Sequence, residues 1–196
     1  MIRPNRLARP LAVLATLLAA AATAAPPPTY TLDGAKSTLE FGFVQAGAQN
    51  KGRFAKFIVN FSFADESLAA SRLDVTIDIA ALDSGDQERD DTLRGADLFD
   101  VAKFAQAHFT ATQISKTAAG GYEAAGMLTL RGVTRVQKVA FTVRSATEQG
   151  RRVLYMTGKS LVKRLDYGVG QGDWKSTEWV GNEVNITFNL RLLAAG

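Results

Sequence analysis

Val184-Asn185-Ile186-Thr187-Phe188-Asn189-Leu190-Arg191-Leu192 places an apolar side chain at every second position and a polar one between. A period of two is the period of a β-strand, so one face of this segment meets a core and the other meets water. The same reading extends toward the N-terminus. Leu39, Phe41 and Phe43 oppose Thr38, Glu40 and Gly42, and Phe57, Val59, Phe61 and Phe63 oppose Ile58, Asn60, Ser62 and Ala64. Leu73, Val75, Ile77 and Ile79 alternate with Arg72, Asp74, Thr76 and Asp78. Phe109 and Ala111 begin another strand, and Tyr122, Ala124, Gly126, Leu128 and Leu130 share a face. Val139, Phe141 and Val143 follow, then Leu154 to Val162. Gly120-Gly121, Arg131-Gly132, Gln149-Gly150 and Gly181-Asn182 punctuate the strands with turns. An all-β fold is expected: a closed antiparallel barrel of about eight strands around its own core. One segment breaks the pattern. Ser84-Gly85-Asp86-Gln87 fits an S-x-x-Q capping box, predicting a helix over 85–95 that Gly95 ends, packed near one barrel opening. Leu93, Leu98, Phe99, Val101 and Phe104 are its apolar residues.

The chain's 196 residues, 46% hydrophobic and 21% charged, suit one ordinary globular domain. Its net charge of +4 misleads, because Arg3, Arg6 and Arg9 stand together with no acid among the first nine residues. They precede an alanine-rich apolar run, Leu11 to Ala22, and then Ala22-Thr23-Ala24. That order predicts a secretory signal peptide over 1–24, with a periplasmic destination. The run is shorter than the ~20 residues of a membrane-spanning helix. Pro26-Pro27-Pro28 makes 25–29 a stiff tether, and 30–196 the barrel domain. Beyond the signal the charges nearly cancel, so no footprint for nucleic acid remains. With no cysteine, thiol catalysis and zinc-thiolate sites are excluded, and the core alone must hold an exported fold together. With a single histidine, His108, multi-histidine metal sites are excluded as well.

The candidate chemical sites each have a plainer reading. Asp83, Asp86, Glu88, Asp90 and Asp91 lack calcium-loop spacing and suit a helix start facing the helix dipole. Gly168-Val169-Gly170-Gln171-Gly172 lacks the strand-to-helix context of a nucleotide loop and reads as a turn. His108 has no acid near it in sequence and reads as a surface or edge histidine. No catalytic group, metal or cofactor is expected. The phenylalanines are more informative. Eleven in one small domain, several sharing a strand face, fit either a filled core or an apolar cavity.

An ordered set of motifs narrows the choice. Tyr30-Thr31-Leu32-Asp33 with Ser37 and Phe41 is followed by Gly52-Arg53-Phe54 with Phe57, then Val75-x-Ile77-Asp78. Asp90-x-x-Leu93-Arg94, Leu98-Phe99-Asp100-Val101-Ala102-Lys103-Phe104 and Phe109-x-Ala111-Thr112 come next, then Gly126-x-Leu128-Thr129-Leu130-Arg131-Gly132-Val133-Thr134. The set resembles the YceI-like family of periplasmic polyisoprenoid-binding proteins, with a lipocalin-like fold. The family often has histidine where Gln45 stands. Gln45 with Lys163-Arg164-Leu165-Asp166-Tyr167-Gly168-Val169-Gly170-x-Gly172-x-Trp174 resembles a subgroup associated with membrane dihaem cytochromes b. The resemblance implies non-enzymatic carriage of an isoprenoid, isoprenoid quinone or fatty chain inside the barrel. It also makes a membrane cytochrome b a partner to consider, and leaves pairing into homodimers open. The rival classes are a docking module with a filled core, and a lipid hydrolase or isomerase.

For a carrier, the expected lining follows from alternation: Phe41, Phe43, Phe57, Val59, Phe61, Val75, Ile77, Ile79, Phe109, Leu128, Phe141, Ile186 and Phe188. Phe99 and Phe104 are expected to cover an end, and Trp174 with Trp179 to cap the opening. Residues 72–82, taken as one strand, span roughly 36 Å at about 3.3 Å each, or roughly 28 Å along a barrel axis tilted near 40°.

Overall fold

The computed structural model describes residues 25–195. The signal expected over 1–24 lies outside the described residues. Eleven strand segments and one α-helix follow in order: β1 Thr29–Leu32, β2 Thr38–Gln45, β3 Ala48–Phe54, β4 Phe57–Ser62, β5 Arg72–Asp78, β6 Leu82–Asp83, α1 Gln87–Arg94, β7 Gln106–Lys116, β8 Tyr122–Leu130, β9 Val133–Glu148, β10 Arg151–Lys163 and β11 Glu183–Ala194. Pairing runs β1-β4-β5-β7-β8-β9-β10-β11, and β1 pairs with β11 to close the ring. All pairs are antiparallel. β2, β3 and β6 prolong the same wall rather than adding to it. β11 pairs with β1 at Tyr30↔Ala194 and, further along, with β2 at Phe41↔Ile186. β3 then pairs with β2, and β6 with β3. Thus β1/β2, β3/β4 and β5/β6 are three interrupted strands of an eight-stranded up-and-down barrel.

Each interruption has a cause in the hydrogen bonding. Between β1 and β2 the chain makes a short 3-10 turn at Gly34–Lys36. Ser37 stitches it to the wall, its hydroxyl donating to the Asp33 carbonyl at 2.7 Å and accepting from the Arg191 N–H at 3.0 Å. The stretch 72–82 is not one strand, as alternation suggested. Its strand ends at Asp78, whose carboxylate accepts from the Ala80 N–H at 3.1 Å and holds a 3-10 turn over Ile79–Ala81. The 36 Å estimate is therefore too long for this strand. Tight hairpins at Ala46-Gly47, Arg131-Gly132 and Gln149-Gly150 place both turn residues at positive φ, the type I′ geometry that matches strand twist.

The helix also differs from expectation. Asp86 caps it, accepting from the Arg89 N–H at 3.1 Å, because Gly85 at φ +77° turns the chain after Ser84. Ser84 instead donates its N–H to the Asp90 carboxylate at 2.9 Å. The helix stops at Arg94, so Leu98, Phe99, Val101 and Phe104 lie on successive turns and only Leu93 is helical. The acidic cluster is spent locally, Asp83 on Arg53 at 2.7 Å and Asp91 on Arg94 at 3.2 Å.

The two barrel ends are unlike. Where β4 and β7 end and β8 begins, Phe61, Phe63, Tyr122 and Phe141 pack into a plug. Phe61 is 4.9 Å from Phe63 and edge-on to Phe141 at 6.0 Å, while Tyr122 is 5.2 Å from Phe63 and 5.4 Å from Phe141. The Tyr122 hydroxyl donates to Asp65 at 2.8 Å, which also holds Lys116 at 2.9 Å, and this pins the plug to the rim. Burial together with that bond raises the Tyr122 pKa to about 12. At the opposite end, α1 and the 164–182 segment arch over the barrel.

Candidate functional site

Above the plug lies an apolar cavity of about 470 Å³, within the range of roughly 300–1,000 Å³ usual for small-molecule sites. Its wall is made by the inward phase of the alternation. Phe41 and Phe43 come from β2, Phe57 and Val59 from β4, and Val75 and Ile77 from β5 with Ile79 just beyond. Phe109, Leu128, Ile186 and Phe188 complete the round from β7, β8 and β11. Phe99 and Trp174 line it from the covering segments.

Four of the residues expected to line or close the cavity stand elsewhere. Phe61 and Phe141 point inward, but at the depth of the plug, where they fill the barrel. Phe104 packs instead against the Arg131-Gly132 hairpin, where the Arg131 guanidinium sits 6.0 Å from its ring centre. Trp179 does not cap the opening either; it is 66% exposed on the rim. Its carbonyl accepts from the Ala46 N–H at 2.7 Å, which fastens the covering loop to the β2–β3 hairpin.

Alternation alone missed the polar lining. Gln137 on β9 and Ser160 on β10 face the cavity. Both were legible in phase, since Gln137 shares a face with Val139 and Phe141, and Ser160 with Val162. Gln45, at the end of β2, and Asp86, Glu88, Arg89 and Thr92 of the helix region add polar groups to the lining.

Arg164 is the most unusual residue of the site. It is 4% exposed and lines the cavity, yet its partners are carbonyls rather than a carboxylate. Nε donates to Gly181 at 3.0 Å, Nη1 to Val169 and Trp174 at 2.9 and 2.7 Å, and Nη2 to Ser176 and Val180 at 3.1 and 2.8 Å. All five of its N–H protons are thereby used. Burial pulls the guanidinium pKa below its ordinary value. The glycine-rich stretch is accordingly a turn wrapped on this side chain. Gly170 adopts φ +121°, and a Cβ there would stand 2.0 Å from Nη1.

His108 lies on the exposed outer wall. The β5–β7 pairing brings Asp74 to 2.9 Å from its Nε2, an acid that its sequence neighbours do not supply.

This geometry has close counterparts. The YceI-like domain family matches residues 30–192. A UPF0312 protein of Vibrio vulnificus is 37% identical over 114 residues, 57% of this chain and 60% of that protein. One of Shewanella baltica is 35% identical over 122 residues, 62% of this chain and 64% of that protein. The crystal structure of Burkholderia cenocepacia BcnA superposes with a TM-score of 0.74 at 33% identity, over 82% of this chain and 98% of that one. A polyisoprenoid binding domain from Saccharophagus degradans, at 18% identity and TM-score 0.63, covers 85% of this chain and 98% of its own and shares the fold. With an eight-stranded barrel, one short α-helix among the described residues and a match across nearly the whole described chain, the protein belongs to the YceI-like domain family.

Proposed function

We propose that the protein is a non-enzymatic carrier, taking the apolar tail of a polyisoprenoid, isoprenoid quinone or fatty acyl lipid into the barrel. The observation that carries this reading is the apolar cavity of about 470 Å³, plugged at one end and covered at the other. The polyisoprenoid binding of the Saccharophagus degradans domain supports it by analogy of fold. A tail enters because its surface leaves water for another apolar enclosure, worth ~0.8 kcal/mol per buried CH2. Ten such groups contribute about 8 kcal/mol before the cost of immobilising the lipid. A tail longer than the cavity folds back or protrudes at the mouth.

Catalysis on the lipid would require titratable groups converging on a reacting atom. Ser160 has no histidine to activate it, since His108 stands outside the barrel. A docking module for a membrane cytochrome b, with a filled core, has the hollow interior against it.

The test is to fill the cavity. In Val75→Phe and Ile77→Trp the added atoms enter free volume, so lipid extracted per mole of protein should fall well below wild type. Melting should stay cooperative, its loss confined below the about 1–3 kcal/mol typical of overpacking a dense core. Unchanged lipid content in both variants would refute the carrier.

Periplasmic delivery belongs to the same proposal. Cleavage after Ala24 should leave Ala25 first, because Ala22-Thr23-Ala24 satisfies the small-x-small rule and a cut one residue later would expose Pro26. N-terminal sequencing of the secreted protein checks this, and a chain still starting at Met1 would refute it.

A further inference from the structure

On the β9–β10 wall of the cavity, toward the covering 164–182 segment, the lining has a polar notch whose hydrogen bonds are lopsided. Gln137 Nε2 donates to Ser160 Oγ at 2.8 Å and to the Leu161 carbonyl at 2.9 Å, with the Lys138 carbonyl at 3.3 Å. Carbonyls accept only from the NH2 end, so the amide has one sensible orientation and Oε1 faces away from them. There Tyr167, a residue only 2% exposed, donates its hydroxyl proton to Oε1 at a long 3.4 Å. Ser160 sends its own proton to the Lys138 carbonyl at 2.7 Å. Arg164, the nearby charge on the same lining, has all its N–H groups on loop carbonyls.

Every proton of the notch is committed, while its oxygens are not. Oε1 has two lone pairs and one long partner, and Ser160 Oγ accepts one bond where it can accept two. In an apolar enclosure such oxygens gain from a donor and gain nothing from another acceptor.

We propose that this notch selects among lipids, favouring a head group that carries a hydrogen-bond donor, a hydroxyl or N–H, over one that only accepts, such as an ether, ester or quinone carbonyl. The inference rests on the carrier reading and specifies its ligand: the tail fills the cavity while a neutral, protic head seats on Gln137 and Ser160.

The experiment is calorimetric titration of the lipid-stripped mature chain with decanol and with decyl methyl ether. The two share a tail and differ in one donor proton. Decanol should bind about tenfold more tightly, the factor corresponding to roughly 1.4 kcal/mol for one buried hydrogen bond. Ser160→Ala and Gln137→Met should bring that ratio close to one. Should Gln137→Met fail to fold, having lost its tie between β9 and β10, Ser160→Ala keeps the Gln137 bond to Leu161 and still decides. Equal binding of alcohol and ether to the wild type, or a ratio untouched in the variants, overturns the selection and leaves the carrier standing. Binding of neither ligand overturns both.

Discussion

Replacing Phe61 with alanine is expected to cost about 3–5 kcal/mol and to lower the melting temperature by roughly 6–20 °C, without abolishing uptake of an apolar ligand. The residue is 0% exposed and is the hub of the plug, touching Phe63 face to face and Phe141 edge-on. Truncation removes a ring from a packed cluster and leaves a void that its neighbours, themselves held by the Tyr122–Asp65–Lys116 anchor, fill only in part. A loss of that size is a large part of a domain's usual 5–15 kcal/mol. The cavity lies above the plug and shares no wall with Phe61, so lipid bound per folded molecule, measured well below the melting temperature, should stay near wild type. Val75→Phe should do the reverse, keeping most of the stability and losing the lipid. If Phe61→Ala emptied the protein of lipid while it stayed folded, the division into plug and chamber would be wrong.

That division also marks where sequence reading stops. Alternation identified which face of each strand looks inward, because burying one side imposes a period of two whatever the tertiary detail. It carries no information on depth along the barrel. Phe41 and Phe61 read alike, yet the stagger of the strands sets Phe41 in the chamber wall and Phe61 in the plug. β3 was legible only through the motif Gly52-Arg53-Phe54, since within Ala48–Phe54 Phe54 alone is buried and no apolar rhythm exists. The break after Leu32 escapes a local reading too, since it depends on Arg191, distant in sequence and adjacent only once the barrel closes. Gln137 and Ser160 stood in the inward phase and were passed over because they are polar. Arg164 continues the phase of Ser160 and Val162 but stands just past the end of β10, and its partners are carbonyls that only the folded loop assembles.

Arg164→Leu is expected to release the cover of the cavity and to be among the most damaging single changes in the protein. The leucine fills part of the space but leaves the carbonyls of Val169, Trp174, Ser176, Val180 and Gly181 without their donor. Each buried acceptor so stranded costs about 1–3 kcal/mol, and the loop limits the total by opening to water, so a net loss of about 3–5 kcal/mol is expected. Amide exchange should therefore accelerate across residues 168–182, while the plug around Phe61 keeps its protection. Trp174 leaves the cavity wall in that opening, its emission moves to the red, and bound lipid exchanges faster. Arg164→Lys preserves the charge but brings three protons to five acceptors, without the planar fork that spreads them, and should recover only part of the loss. Charge is thus not the property that matters here. Burial already works against the guanidinium's charge, and the carbonyl dipoles aimed at it are what keep it in place. Gly170→Ala tests the same clamp from the other side, since its Cβ would occupy the position of Nη1 at a backbone φ that suits glycine alone. It should reproduce the faster exchange of 168–182 with Arg164 intact. If both variants left exchange in 168–182 and lipid retention at wild-type values, the arginine would not be what holds the cover closed.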